Sequence, residues 1–221
     1  PPPGLSGGIA VSGMVLWGAV SSRVLRVHWA LIELGLPYES VPIQSRSGET
    51  ETVEYDALNP RRKIPTFQDG NLVLTESAAI VTYLAETYGT AGRSLIPVEQ
   101  PARAKYFEWL SFVSMELDAT SLYVLRRHEG LPHIYGEAPA ACAAARAYFD
   151  KMIRASAADL ANGRRYLVGS QFTGADICMT TVLDWAERYD CPLPGAWLDY
   201  RERVRGRPGY AAALAANKAP V

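Results

Sequence analysis

Two short stretches of this chain place hydroxyl and charged side chains just where a helix should begin. Ser21 and Ser22 stand ahead of apolar residues at Val24, Val27, Leu31 and Leu34, the spacing of one buried helix face, and Gly35 supplies the stop. Thr75-Glu76-Ser77 stands in the same relation to Ile80, Val81, Leu84 and Tyr88, with Gly89 after them. Unpaired N–H groups and the positive end of the helix dipole at such a place suit a carboxylate. Between the two stretches lies Arg61-Arg62-Lys63-Ile64-Pro65, a basic cluster running into a proline. Read from the residues alone, either serine of the first pair, and Thr75 or Ser77 of the second, serves equally well as a plain helix cap. Lys63 reads equally well as a solvated lysine.

Other chemistries are poorly supplied. The three cysteines, Cys142, Cys178 and Cys191, are widely spaced and absent from residues 1–100. No C-x-x-C is present, so a disulfide scaffold, a zinc site and dithiol redox work are disfavoured, and the thiols read as small buried apolar residues. His128 and His133 flank Gly130 and Pro132 without a matching acid or cysteine set, so no metal is expected. His28, between Arg26 and Trp29, is expected to be partly exposed. Arg201, Arg203, Arg205 and Arg207 read as solvated surface. The 221 residues are 48% hydrophobic and 20% charged with a net charge of -1, an ordinary globular composition that argues against a disordered chain. Divided after Leu95, the halves hold 7 basic and 9 acidic, then 15 and 14, so neither offers a nucleic-acid or anionic-membrane surface. No apolar run reaches the roughly 18 residues of a membrane span, and the first positive charge is Arg23. A soluble protein of the reducing cytoplasm is expected. Residues 1–13 read as a tail, with Met14 as a natural start.

The elements that position these residues fall into two kinds. Val15-Leu16-Trp17-Gly18 reads as a strand, the Ser21–Gly35 segment as a helix, and Tyr38–Ile43 as a second, alternating strand. Residues 44–62 read as a loop or irregular helix. Ile64–Phe67 and Leu72–Leu74 flank Asp69-Gly70-Asn71, a hairpin pattern, and the helix after Glu76 closes the segment. Beyond Gly92 only helices are expected. Tyr106, Leu110, Val113 and Leu117 mark a long one, and alanine-rich residues 138–161 another. Residues 174–188 are apolar on nearly every face, with a Thr173/Asp176 capping box at their head. Arg207-Pro208-Gly209-Tyr210 opens a last short helix. The expectation is an α/β unit over residues 14–90 and an all-α unit over 91–221.

Asn59 to Phe67, then Leu74-Thr75-Glu76-Ser77-Ala78-Ala79-Ile80, then Phe172-Thr173-Gly174-Ala175-Asp176, resemble in order and spacing the cytosolic glutathione S-transferase family. The likeness runs from residue 14 to about 216, of serine type and bacterial-like, with no class assigned. It implies a thioredoxin-like amino-terminal domain followed by an all-helical one, glutathione as co-substrate, no metal, and a homodimer. It further implies a cis bond before Pro65, leaving the Ile64 N–H and C=O to pair with the cysteinyl part of glutathione. Ser77 would bind the γ-glutamyl carboxylate, Glu76 would help hold the amino group, and Lys63 would meet the glycine carboxylate.

The family keeps the glutathione sulfur as a thiolate beside a hydroxyl or thiol on the first loop. A free thiol, with a pKa near ~8.5, is mostly protonated at neutral pH. Trp17 matches a tyrosine donor poorly, and no cysteine is at hand. That leaves Ser21, five residues before Arg26, with Ser22 as the alternative. Ser21-Ser22-Arg23 departs from the Ser-Ser-Cys of the zeta-like isomerases. The electrophile, hydrophobic or aromatic, is expected between the domains. Candidate lining residues are Ala19, Val20, Ser111, Ser114, Met115, Tyr123 and Arg126, with Leu122 in the same stretch; Met115 and Tyr123 are equally readable as core. Conjugation in detoxification, peroxide reduction, thioether cleavage and isomerisation would all use one activated thiolate. The competing reading is a non-catalytic interaction protein of the same fold.

Overall fold

The computed structural model describes residues 13–218, so the expected tail lies, but for Gly13, outside the described residues. The chain begins with β1 (Met14–Trp17), α1 (Ser22–Leu34) and β2 (Glu39–Val41). A 3-10 turn at Glu49–Glu51 and α2 (Val53–Leu58) fill the polar stretch, followed by β3 (Thr66–Asp69), β4 (Leu72–Thr75) and α3 (Ser77–Tyr88). The sheet order is β2-β1-β3-β4, with β1 and β2 parallel and the other pairs antiparallel. Leu16 and Phe67 lie opposite one another in the register and both are fully buried, so the alternation of each strand sends one face to the core.

Helix α1 ends as its residues require: Gly35 takes φ 70°, and its N–H bonds back to the last turn. Gly89 follows α3 in an extended conformation instead. Helix α1 packs against α3 and also against two helices of the second half, which removes any outward face. His28 is therefore fully buried, correcting the expectation of partial exposure. Its Nδ1 meets the Tyr38 hydroxyl at 2.7 Å, and burial pushes its pKa down to about 4.

The second half is helical throughout. Helix α4 (Gln100–Phe112) runs on through a π-helical stretch (Val113–Leu122), a short α5 (Tyr123–Leu125) and further π turns (Arg126–Gly130). The Ser121 hydroxyl donating to the Glu116 carbonyl at 2.8 Å and the Tyr123 N–H bonding to Asp118 O mark the widened turns. The spacing of apolar residues foresees the long helix but not this widening. Then come α6 (Pro132–Tyr135), α7 (Pro139–Ser156), α8 (Gly174–Arg188), α9 (Gly195–Arg205) and α10 (Pro208–Ala216). Buried α8 is the centre of this layer. Asp176 closes its capping box, accepting from the Thr173 N–H at 2.8 Å, and also accepts from the Tyr200 hydroxyl at 2.6 Å. Two of the arginines read as solvated are not. Arg201 is buried beside Glu187 at 3.0 Å, and Arg207 pairs with Glu33 of α1 at 2.6 Å, because α9 and α10 fold back against the helices before them. All three cysteines are free and buried.

Candidate active site

The turn before β3 is clamped from beneath. The Tyr55 hydroxyl donates to the Lys63 carbonyl at 2.6 Å, and Asn59 Nδ2 donates to the same oxygen at 2.9 Å. Both also meet the Thr66 hydroxyl at 2.8 Å. The Ile64–Pro65 bond is cis. Among the described residues the Ile64 N–H and C=O have no hydrogen-bond partner, which leaves an edge for an extended peptide. Gly18 packs directly against this turn: with φ at 131°, a Cβ there would come within 2.7 Å of Val24 and 3.0 Å of Ile64.

At the head of α3, Glu76 is the N-cap residue with φ 68° and makes no side-chain cap. Thr75 does not cap either; its hydroxyl accepts from Arg61 at 2.9 Å. Buried Ser77 accepts from Arg26 Nη1 at 3.2 Å, so its own proton remains for another acceptor. Arg26 is wholly interior. It also donates to Thr181 Oγ1 at 2.8 Å and pairs with Asp118 at 2.8 Å, tying α1 and α3 to the helical half. Arg23 takes the other Asp118 oxygen at 2.5 Å and lies over the rings of Tyr123 (4.6 Å) and Trp185 (5.5 Å).

At the head of α1, Ser21 is the N-cap. Its Oγ accepts from the Arg23 N–H at 3.3 Å, and again the hydroxyl proton is left over. Ser22 stands in the first turn with no hydrogen bond to its side chain among the described residues. The turn before them is held from the far end of the chain. Val20, at φ 51°, donates its N–H to the Asn217 carbonyl at 2.9 Å. The Asn217 amide brackets the Ser21 backbone, donating to its carbonyl at 3.1 Å and accepting from its N–H at 3.5 Å.

Two hollows meet here. The larger, about 340 Å³, is lined by Ile64, Pro65, Glu76, Ser77, Ser114 and Met115 among others. The smaller, about 50 Å³, is lined by Ser21, Ser22, Arg46, Arg126 and Trp185. Arg23, Lys63, Ile64 and Tyr123 border both. The structure thus gathers Ser21, Ser22, Lys63, Ile64, Pro65, Glu76, Ser77, Ser114, Met115, Tyr123 and Arg126 round one cleft. Ala19, Val20 and Ser111 line neither hollow, and Leu122 is core. Met115 is exposed, not core, because the widened helix turns it to the cleft.

Sequence reasoning missed Arg23, Arg26, Asp118, Arg46 and Trp185. The available signal was a charge set among buried apolar positions: Arg26 between Leu25 and Val27, Asp118 after Leu117. The cleft is cationic overall. Burial raises the Tyr123 phenol's pKa, but the neighbouring Lys63 ammonium, 3.5 Å from its oxygen, with Arg23 and Arg46 behind, brings it below the ordinary value. No group of His, Cys, Asp and Glu among the described residues is placed to hold a metal ion.

A mixed sheet backed by a helical layer, with a basic cleft between them, defines an α/β domain joined to an all-helical one. Known proteins agree. The family model for the glutathione S-transferase N-terminal domain matches residues 12–86, and that for its C-terminal domain residues 112–206. Glutathione S-transferase 3 of Zea mays is 31% identical over 211 residues, 91% of this chain and 92% of that one. Glutathione S-transferase PARB of Nicotiana tabacum is 34% identical over 163 residues, 72% and 74%. The solved theta class glutathione S-transferase of Xanthomonas axonopodis pv. citri, with glutathione bound, superposes with a TM-score of 0.75 at 30% identity, covering 92% of this chain and 97% of that one. A glutathione transferase of Methylococcus capsulatus gives 0.80 at 26%, covering 92% and 98%. The chain belongs to the glutathione S-transferase family.

Proposed function

We propose that this chain holds glutathione along the Ile64–Pro65 turn and keeps its sulfur as a thiolate at Ser21. The chain is a glutathione S-transferase and glutathione is its co-substrate. The observation that carries the site assignment is the continuity of the two hollows: a carboxylate site at Glu76 and Ser77, a free peptide edge at Ile64, and two serines at a helix start lie along one cleft. Lys63 meets the glycine carboxylate at one end, and Ser77 the γ-glutamyl carboxylate at the other. Residues 14–90 hold the tripeptide and residues 91–221 supply the opposite wall. Ser114, Met115, Tyr123 and Arg126 of that wall face the second substrate.

The Ser21 hydroxyl, its lone pair taken by the Arg23 N–H, donates to sulfur, and the α1 dipole adds to the stabilisation of the anion. The thiol proton leaves to solvent. Thiolate sulfur then forms a bond to an electrophilic carbon, and a displaced group departs with the bonding pair. Ser22 has no such anchoring. Ultraviolet titration of bound glutathione tests the assignment: Ser21→Ala should raise the thiol pKa by about 1–2 units and cut turnover about 10- to 100-fold near neutrality. If Ser22→Ala shows that loss and Ser21→Ala does not, the donor is Ser22.

A homodimer is supported by exposed apolar residues Leu72 and Val73 on edge strand β4 and Phe107 on α4. Cytoplasmic residence is supported by three free buried thiols. No helix of the described residues is long and apolar enough to cross a membrane.

A further inference from the structure

The smaller hollow carries more positive charge than glutathione can use. Arg23, Arg46, Lys63 and Arg126 line it, and no carboxylate does. Arg23 already has Asp118, and Lys63 is assigned to the glycine carboxylate. Arg46 is steadied by neutral groups only: the Tyr135 hydroxyl at 3.1 Å and the Ser45 hydroxyl at 3.1 Å. The guanidinium of half-buried Arg126 has no hydrogen-bond or ion-pair partner among the described residues, and burial together with the Arg46 charge lowers its pKa. A guanidinium set in a recess beside other cations, with nothing opposite it, costs free energy unless an anion completes it. Ser21 and Ser22 line the same recess, so that anion would lie beside the sulfur.

We propose that the electrophile of this transferase carries a carboxylate, held by Arg126 and Arg46 next to the reacting sulfur. The proposal rests on glutathione lying along the Ile64–Pro65 turn with its thiol at Ser21. Two guanidinium groups would together bind such an acceptor in one orientation, and would also offset negative charge gathering on it as sulfur attacks.

Stable conjugates test this without need of turnover. Titration calorimetry would compare S-(carboxymethyl)glutathione with its neutral isostere S-(carbamoylmethyl)glutathione, and the one-carbon-longer pair, with S-methylglutathione as reference. The expected result is about tenfold tighter binding of the acid in at least one pair. That advantage should fall to parity in the Arg46→Gln/Arg126→Gln double variant, while S-methylglutathione affinity stays unchanged. Equal binding of acid and amide in both pairs overturns the proposal, as does an advantage that survives in the double variant. Failure of S-methylglutathione itself to bind the parent protein overturns the glutathione site, and the proposal with it. Binding of S-methylglutathione without acid preference removes only the proposal.

Discussion

Ser77 meets two demands with one hydroxyl. It accepts from Arg26 inside the protein, which turns its proton outward to the cleft, where the γ-glutamyl carboxylate is proposed to sit. Ser21 repeats the pattern with a backbone N–H in place of the guanidinium. Capping and ligand binding use different atoms of a serine, so the two readings of these residues are compatible. Replacing Ser77 with Ala removes the proposed charge-assisted bond to the carboxylate. The KM for glutathione should rise about tenfold or more, with kcat little changed once the site is saturated. Steady-state kinetics checks this; an unchanged KM would place the carboxylate elsewhere.

Each helix proposed to face the sulfur or the γ-glutamyl end is entered through a non-glycine residue at positive φ, Val20 before α1 and Glu76 before α3. Such conformations cost about 1–3 kcal/mol and persist where surroundings hold them. At Val20 the holder is Asn217, just past α10. Its amide holds the Ser21 backbone, so on the proposed site Asn217 is a positioning residue for the Ser21 hydroxyl. Asn217→Ala, which keeps the carbonyl bond to Val20 but removes the amide that brackets the Ser21 backbone, should raise the thiol pKa of bound glutathione by several tenths to about one unit and lower kcat more than it raises KM, since the peptide edge at Ile64 is untouched. A variant with parent thiol pKa and kcat would show that the loop holds itself.

At the scale of the whole molecule, α1 is covered by both halves of the chain, so its polar residues become interior fixtures. Arg26 is matched by Asp118, but His28 Nε2 has no partner among the described residues. With its pKa at about 4 in the fold, against about 6.5 in the unfolded chain, His28 stays neutral when folded and gains a proton when unfolded. The unfolded state thus binds more protons between those values, and the corresponding stability, up to about 3 kcal/mol, is lost as pH falls from about 6.5 towards about 4. Urea unfolding at about pH 7 and about pH 4.5 should show the parent losing roughly 2–3 kcal/mol more than His28→Asn does. Parallel losses would assign the acid sensitivity to other groups.

Local signals were sufficient for much of this molecule. Apolar spacing and Gly35 bound α1, the Asp69-Gly70-Asn71 turn joins β3 to β4, and Thr173 with Asp176 starts α8, because each depends on contacts within a few residues. The places of Ser21, Lys63, Ile64, Pro65, Glu76 and Ser77 at element boundaries are legible for the same reason, while their proposed ligand roles come from the family resemblance and not from local spacing. Residues that act across the chain were not. The sequence shows no role for Arg26 beyond its spacing from Ser21 and predicts His28 to be partly exposed, since the burial of both depends on α8 and α10 closing over α1. The Asn217 latch joins positions 196 residues apart, and the convergence of Arg46 from one half with Arg126 from the other has no local trace. Periodicity tells which face of a helix is buried, whereas the partner of a buried charge is decided only when distant segments meet.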